Sequence, residues 1–103
     1  MRHLLDYRDR QVKLTEERWQ HILLHREMLG MQEQVEETLR KPQQVMRSRS
    51  DTEAELLYRF YHGTIVGDKW LCVVVKYRKK DAFVLTAYLT DTIKAGELLW
   101  PKA

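Results

Sequence analysis

The run Trp70-Leu-Cys-Val-Val-Val-Lys-Tyr77 and the run Phe83-Val-Leu-Thr-Ala-Tyr-Leu-Thr90 decide the fold. Both runs are rich in the β-branched and aromatic residues that favour strands, and the charged connection Arg78-Lys-Lys-Asp81 is short enough for a hairpin loop. The two runs therefore predict an antiparallel hairpin around which the other elements are expected to pack.

The second run alternates strictly, so its side chains are expected to divide between two faces. One face carries Phe83, Leu85, Ala87 and Leu89, and the other carries Val84, Thr86, Tyr88 and Thr90. The first face needs a core, whereas hydroxyl groups on the second make it a place to look for a site. The face of Lys76 depends on the register, because pairing of Tyr77 with Ala82 sets Lys76 against Phe83, and a shift by one residue sets it with the hydroxyls.

Two helices are predicted upstream of the hairpin. Thr15 is a typical N-cap with two glutamates directly after it, and Gly30 is a typical stop, so the first helix is expected over residues 15–29. The second is expected over residues 31–40 and ends because the residue before Pro42 disfavours helical geometry.

The other segments are assigned by pattern and by turn residues. Irregular chain is expected at 1–10, a short strand at 11–14, a weak strand at 43–50, a strand at 54–62, a glycine-bounded loop at 63–68, and at 91–101 a turn or half-helix before a last apolar stretch. Helices followed by three or four strands predict an α+β fold, with N-terminal helices packed on a four-stranded antiparallel sheet. At 103 residues the chain is expected to be a single domain, residues 1–103.

The charge distribution suggests a polyanionic partner. The formal net charge is +3, and residues 42–103 hold ten cations against seven anions, while residues 15–41 hold four cations against six anions. A basic excess outside the predicted helices fits contact with RNA, although a solvated surface explains it equally well.

Cysteine usage and hydropathy predict a cytoplasmic location with no membrane partner. Cys72 is the single cysteine and lies within the most apolar strand, which favours a structural role in a reducing compartment. No run approaches the roughly 20 apolar residues of a membrane span, and the N-terminus lacks an apolar signal-peptide core.

His21 and His25 are spaced i, i+4 and are expected to share a helix face. The segment between them lacks the glutamate of an H-E-x-x-H zinc motif, and Cys72 is too buried in its context to act as a third ligand, so no metal or cofactor is expected. The pair is interpreted either as surface residues with no special role or as a proton donor and acceptor placed over the hydroxyl-bearing sheet face.

Several strand and turn residues are candidates for binding phosphate. They are the cations Arg47, Arg49, Arg59, Lys76, Lys79 and Lys80, together with the hydroxyl groups of Thr86 and Tyr88. Cations that converge on one sheet face would hold a phosphate and stabilise the charge that develops in phosphoryl transfer. For any single cation, projection into water is the simpler alternative, and threonine and tyrosine are also good strand formers in their own right.

Five segments together resemble a known group of proteins. They are Val12-Lys-Leu-Thr-Glu-Glu-Arg-Trp-Gln-His-Ile-Leu-Leu-His25, Thr38-Leu-Arg-Lys-Pro42, Leu57-Tyr-Arg-Phe-Tyr61, Val73-Val-Val-Lys-Tyr77 and Phe83-Val-Leu-Thr-Ala-Tyr88. They are similar to the phage-associated branch of the barnase–EndoU–colicin–RelE superfamily over about residues 11–101. Members are small α+β proteins, and many are metal-independent RNases that act as toxins or effectors.

The resemblance implies a site and a reaction. His21 would be the acid or base on the helix, Lys76 the cation at the phosphate, and Thr86 and Tyr88 the contributions of the sheet. The superfamily leads us to expect a His-Pro pair at the end of the helix motif, where this chain has His25-Arg26, so both histidines stay candidates. The reaction would be attack of the ribose 2′-oxygen on phosphorus, with an antitoxin or immunity protein as a further partner.

Two other functions stay open at this point. A non-catalytic RNA-binding or partner-binding module on the same fold would keep the basic surface without the chemistry. A metal-dependent hydrolase is the least favoured, because the sequence offers no ligand set for the ion.

Overall fold

The computed structural model describes residues 2–102, which form a seven-stranded mixed sheet with two α-helices. The strands are β1 (Arg2–Leu5), β2 (Gln11–Leu14), β3 (Gln44–Arg47), β4 (Ala54–Thr64), β5 (Gly67–Tyr77), β6 (Ala82–Thr90) and β7 (Glu97–Trp100). The helices are α1 (Glu16–Ile22) and α2 (Gln32–Arg40), with a 3₁₀ turn at Arg26–Met28 between them. The strand order is β1-β2-β6-β5-β4-β3-β7, and every neighbouring pair is antiparallel except β2 with β6.

The predicted four-stranded antiparallel sheet is wrong, because short strands extend the sheet at both edges. Residues 1–10, expected to be irregular, include β1, which pairs with β2 and buries Leu4 opposite Val12. At the other edge, β7 pairs with β3 in the segment expected to be a turn or half-helix. The predicted loop at 63–68 is also wrong, since β4 continues to Thr64 and β5 begins at Gly67.

The first helix begins as predicted and ends earlier. The Thr15 hydroxyl accepts a hydrogen bond from the Arg18 backbone N–H at 3.1 Å, which confirms the N-cap. The helix ends at Ile22, and Ile22 and Met28 are both fully buried in one core. In a continuous helix Met28 would point about 120° away from Ile22, so the break is what allows both side chains to reach the core. His21 and His25 therefore do not share a helix face, contrary to the prediction.

The two faces of the sheet are covered differently. The helix-covered face carries the main core, built by α1, α2 and the 3₁₀ turn on side chains such as Val45, Leu57, Leu71, Val73 and Val75. We call the opposite side the helix-free face. Its fully or nearly buried cluster consists of Leu56, Tyr58 and Cys72, with Ile93 of the β6–β7 connection packed against it.

The β5–β6 hairpin forms as predicted, but a bulge changes which residues share a face. Tyr77 pairs with Ala82 and Lys76 with Phe83, and the register then shifts between Val74 and Val75. The shift leaves one residue of β6 unpaired and reverses the alternation beyond it.

As a result, the strict alternation predicted for β6 is wrong at its start. Val84, expected beside the hydroxyls, is fully buried in the main core, and Phe83, expected in the core, lies on the helix-free face opposite Lys76. Beyond the bulge, Val74 pairs with Thr86, so Lys76 shares its face with both Phe83 and the hydroxyl residues. Both registers considered from the sequence are thus partly realised.

Within residues 2–102, none of the helices has the length and apolar character needed to cross a membrane.

Candidate functional site

The central strands arrange the helix-free face in four cross-strand rows. From β4 through β5 to β6 the rows are Ala54–Lys76–Phe83, Leu56–Val74–Thr86, Tyr58–Cys72–Tyr88 and Phe60–Trp70–Thr90. Three of the predicted catalytic residues, Lys76, Thr86 and Tyr88, therefore lie on one face. Lys76 shares this face with Thr86 and Tyr88 because of the bulge, which the residue types in the sequence do not predict.

His25 reaches this face at the edge of β6. β2 pairs with β6 only through Lys13 and Phe83, which leaves the rest of this edge of β6 unpaired within residues 2–102. Both α1 and the 3₁₀ turn contact β6, so the segment between them, which contains His25, lies along the unpaired edge. The ring centroids of His25 and Tyr88 lie 6.3 Å apart. The His25 side chain is 48% exposed, and its Nδ1 lies 3.9 Å from Glu27 Oε1. An imidazole open to solvent beside a phenol is suited to proton exchange with a ligand on this face.

His21 has different surroundings. It lies in the last turn of α1, is exposed, and lines a shallow hollow with Glu17, Arg18 and Leu24. The break after Ile22 separates the two histidines, and His25 is the one that meets the Tyr88 ring.

The Tyr88 phenol stays protonated at neutral pH. Burial raises the pKa of Tyr88 above its usual value, and the nearby Cys72 thiol raises it further. Burial also raises the pKa of Cys72, to about 11, so that thiol is neutral and poorly nucleophilic. Tyr88 can therefore donate a hydrogen bond or a proton but does not act as a phenolate.

Lys94 supplies a cation next to Tyr88 that sequence analysis did not single out. Its Nζ lies 5.9 Å from the Tyr88 ring centroid, and its backbone N–H donates to the Tyr58 hydroxyl at 3.2 Å. Lys94 belongs to the β6–β7 connection, which returns across the helix-free face before β7 begins. The only signal for it in the sequence was a cation in a turn, because its position over Tyr88 is a tertiary contact.

A cleft of about 180 Å³ lies beside Lys94. Its lining is Met46, Arg47, Ser48, Arg49, Ser50, Leu56, Lys94 and Ala95. Neither Arg49 nor Lys94 forms an ion pair with any carboxylate of residues 2–102. The cleft therefore offers two available positive charges and several hydroxyl groups, and Lys94 links it to the Tyr88 ring.

Lys76, by contrast, is engaged in ion pairs. Its Nζ lies 2.5 Å from Asp51 Oδ2 and 3.2 Å from Glu53 Oε1, and its side chain is 18% exposed. The hydrogen bond to Asp51 raises the pKa of Lys76 and lowers the pKa of the Asp51 carboxyl. These contacts tie the β3–β4 connection to β5, so much of the Lys76 charge is neutralised within the fold.

Two of the predicted phosphate-binding arginines also have partners. Arg47 Nε lies 2.8 Å from Glu97 Oε1, and Arg47 also donates to the Thr52 carbonyl at 2.9 Å. Arg59 points to the helix-covered side, where its Nε lies 3.3 Å from Glu37 Oε1 and it donates to the Lys41 carbonyl at 2.7 Å.

The turn lysines are placed as the sequence suggested. Lys79 and Lys80 are exposed in the β5–β6 connection, and the neighbouring Arg78 guanidinium lies 5.2 Å from the centroid of the Phe83 ring. They lie at the Lys76–Phe83 end of the helix-free face, two rows away from Tyr88.

A second polar cluster lies on the helix-covered side and was not found from the sequence. Tyr77 donates to Asp6 at 2.7 Å, Tyr7 donates to Glu55 at 2.9 Å, and Arg8 lies 3.1 Å from Glu55. Asp6 also accepts from two backbone N–H groups of the β1–β2 connection, at 2.8 and 2.9 Å. Each carboxylate is satisfied within the protein, so the cluster anchors that connection to the sheet.

No group of three or more histidine, cysteine, aspartate or glutamate side chains within residues 2–102 has the arrangement of a metal site. Comparisons with protein-family models, with curated proteins and with solved structures gave no match. The site is therefore interpreted from its own geometry and from the resemblance described above.

Proposed function

We propose that the helix-free face binds single-stranded RNA and cleaves it without a metal where His25 meets Tyr88. The observation that carries the proposal is the 6.3 Å approach of the His25 ring to the Tyr88 ring, on the face that also holds Thr86. Lys94, whose Nζ lies near the Tyr88 ring, and the cleft that it lines together with Arg49 support it. A proton acceptor, a proton donor and free cations are the groups that such cleavage requires.

The reaction needs two proton transfers. His25 takes the proton of a ribose 2′-hydroxyl, the oxygen attacks the adjacent phosphorus, and the bond from phosphorus to the 5′-oxygen breaks. Tyr88, held as the neutral phenol by its raised pKa, donates a proton to that leaving oxygen. The products are a 2′,3′-cyclic phosphate and a free 5′-hydroxyl. The need for a 2′-hydroxyl selects RNA over DNA.

The cations change roles relative to the expectation from sequence. Lys76 is neutralised by Asp51 and Glu53 and is assigned to holding the β3–β4 connection. Lys94 is assigned to stabilising the phosphate charge that develops in the transition state, because its Nζ lies 5.9 Å from the Tyr88 ring. Arg49 is exposed at the cleft and is assigned to a neighbouring phosphate of the RNA. The exposed Lys79 and Lys80 are assigned to the RNA backbone further along the face.

The biological setting is proposed from the resemblance. Five segments similar to a phage-associated nuclease branch support a role as a toxin or effector. In that role an antitoxin or immunity protein would block the helix-free face to control the activity.

The test is incubation of the purified protein with total RNA and individual tRNAs, with and without EDTA. The His25→Ala variant is expected to lose cleavage by roughly 10²–10⁴-fold. His21→Ala is the matched control and is expected to cleave like the wild type. Cleavage that EDTA abolishes, or equal cleavage by the His25→Ala variant, contradicts the proposal.

A non-catalytic RNA-binding module is the second candidate. It is favoured because ion pairs within the protein neutralise Lys76, Arg47 and Arg59. Three of the predicted cations are therefore not free to stabilise the charge that develops during cleavage. It predicts that the folded wild-type protein binds single-stranded RNA and leaves it intact in the same assay.

A further inference from the structure

We infer that Phe60 and Trp70 form a base-stacking subsite, one row along the helix-free face from Tyr88. The inference rests on the proposed function, because it adds a place for a nucleotide base beside the position assigned to cleavage. Neither residue takes part in the proton transfers proposed above.

The two rings form a pair at the end of the face. Phe60 and Trp70 occupy the same cross-strand row, with centroids 5.1 Å apart and planes at 73°. Trp70 also meets the buried Tyr58 ring edge-on, at 6.5 Å and 90°. Both Phe60 and Trp70 are half-buried, so one side of the pair rests on the small cluster beneath it while part of each ring stays open to solvent.

A third ring extends the pair outward. His62 is exposed and lies 5.1 Å from Phe60 in an edge-to-face arrangement. Its Nδ1 lies 3.4 Å from Asp68 Oδ2, an ion pair when the imidazole is protonated. Aromatic faces accept any base by stacking, which is how proteins bind single strands with little sequence preference.

The spacing fits neighbouring groups of one strand. The Phe60–Trp70–Thr90 row and the Tyr58–Cys72–Tyr88 row are two residues apart along the strands, a separation of about 7 Å. A nucleotide with its phosphate at Tyr88 and Lys94 can therefore present an adjacent base to Trp70. The subsite would fix the direction and register of the RNA relative to His25.

The alternative for these rings is a purely structural role as a cap on the small cluster. That role would make no distinction between a strand with bases and a strand without them. The two accounts therefore separate in a binding experiment with matched probes.

The experiment compares a short fluorescent oligothymidylate DNA with an abasic oligodeoxynucleotide of the same length. Both carry the same phosphates and lack the 2′-hydroxyl, so neither is cleaved. Dissociation constants are measured by fluorescence anisotropy for the wild type and for the Trp70→Leu, Phe60→Leu and Trp100→Leu variants. Trp100 is the matched control, since it is 41% exposed on β7 and its ring lies 5.8 Å from Tyr7 on the other side of the sheet.

The wild type is expected to bind the base-bearing probe more tightly, by roughly fivefold to a hundredfold for one stacked base. Trp70→Leu and Phe60→Leu are expected to reduce this preference, and Trp100→Leu is expected to keep it. Near-ultraviolet circular dichroism checks that each variant is folded. If the Trp70→Leu variant does not fold, the Phe60→Leu variant and the preference of the wild type between the two probes decide whether the subsite exists.

Equal binding of the two probes by the wild type, or binding of neither, overturns the subsite. So does an unchanged preference in both folded variants. The RNA cleavage assay is separate, so the two proposals can fail independently. If the protein prefers the base-bearing probe through Trp70 but cleaves no RNA, the subsite is supported and the nuclease is rejected. If the protein cleaves RNA but shows no preference for the base-bearing probe, the nuclease is supported and the subsite is rejected.

Discussion

The two faces of the sheet differ in what their residues are used for. On the helix-covered face, aliphatic side chains such as Leu57, Leu71 and Val73 are fully buried under the helices. On the helix-free face, the buried cluster is small, and aromatic, hydroxyl and cationic groups remain half-buried or exposed around it. Stability is therefore concentrated on one side, which leaves the other side free to carry functional groups.

Polar groups follow the same division. On the helix-covered side, the carboxylates of Asp6 and Glu55 are buried and every one of their contacts lies within the protein. On the helix-free side, Arg49 and Lys94 face a cleft without a carboxylate partner among residues 2–102. A satisfied polar cluster stabilises, whereas unpaired surface cations are available to a ligand. The polar groups of the two faces therefore differ in whether their charge is already neutralised within the protein.

A tyrosine on each face gives the largest expected contrast. Tyr88→Phe removes the proposed proton donor and is expected to slow RNA cleavage by roughly 10²-fold or more. Tyr61→Phe is the matched change on the helix-covered side, where the hydroxyl donates to Glu37 at 2.6 Å, and is expected to leave the cleavage rate unchanged. Single-turnover rates on one tRNA measure both. Equal rates for the two variants would contradict the assignment of function to the helix-free face.

Two neighbouring valines test the division of stability. Val73 is fully buried on the helix-covered face, and Val74 is half-buried on the helix-free face. Val73→Ala is expected to lower the free energy of unfolding by about 2–3 kcal/mol, because two buried carbons are lost and a cavity remains. Val74→Ala is expected to lower it by about 1 kcal/mol or less. Urea unfolding measures both, and equal losses would contradict the division.

The N-cap of α1 is expected to affect stability without affecting function. Thr15→Ala removes the hydroxyl that accepts from the Arg18 N–H at 3.1 Å, and a loss of about 1 kcal/mol of unfolding free energy is expected. Thr15→Ser keeps the acceptor and is the control, expected to lie close to the wild type. RNA cleavage by the folded Thr15→Ala variant is expected to be unchanged, since the cap is not part of the proposed site.

The ion pair of Lys76 predicts a small effect of pH on stability. The pKa of the Asp51 carboxyl is lowered in the folded state, first by its hydrogen bond with Lys76, so the folded protein binds fewer protons there than the unfolded chain. The ionised Asp51 carboxyl therefore stabilises the fold at pH values above 3.8, the ordinary pKa of an aspartate. This stabilisation is lost as the pH falls through the lower pKa that Asp51 has in the folded protein. Stability of the wild type relative to Asp51→Asn, measured by urea unfolding, is expected to shrink below about pH 4. A difference that persists unchanged to lower pH would exclude this role.

Local patterns in the sequence predicted the parts of the fold that depend on local chemistry. The β5–β6 hairpin, the cap at Thr15 and the second helix ending before Pro42 all appear where residue type alone favours them. The parts that were missed depend on distant contacts. β1 and β7 are four-residue edge strands whose pairing is decided by their neighbours. The end of α1 at Ile22 is also decided by the core, which takes up Met28, and the residues there would otherwise continue a helix.

The candidate site shows the same limit. The sequence suggested that Thr86 and Tyr88 share a face, and the register confirms it. It left open which histidine is involved, and the break after Ile22 brings His25 to Tyr88. The carboxylate partners of Lys76 could not be predicted, because Asp51 and Glu53 belong to a connection far from Lys76 in sequence. The approach of Lys94 to Tyr88 could not be predicted either, because it depends on the path of the β6–β7 connection back across the sheet.

The most direct test of the central claim, that the helix-free face is the functional one, is a methyl NMR titration with a non-cleavable oligothymidylate. Three pairs of like residues report on the two faces: Met46, Val74 and Ile93 on the helix-free face, and Met28, Val73 and Ile22 in the main core. Chemical-shift changes are expected at the first set and none at the second. Changes confined to the second set, or no change at either, would contradict the claim.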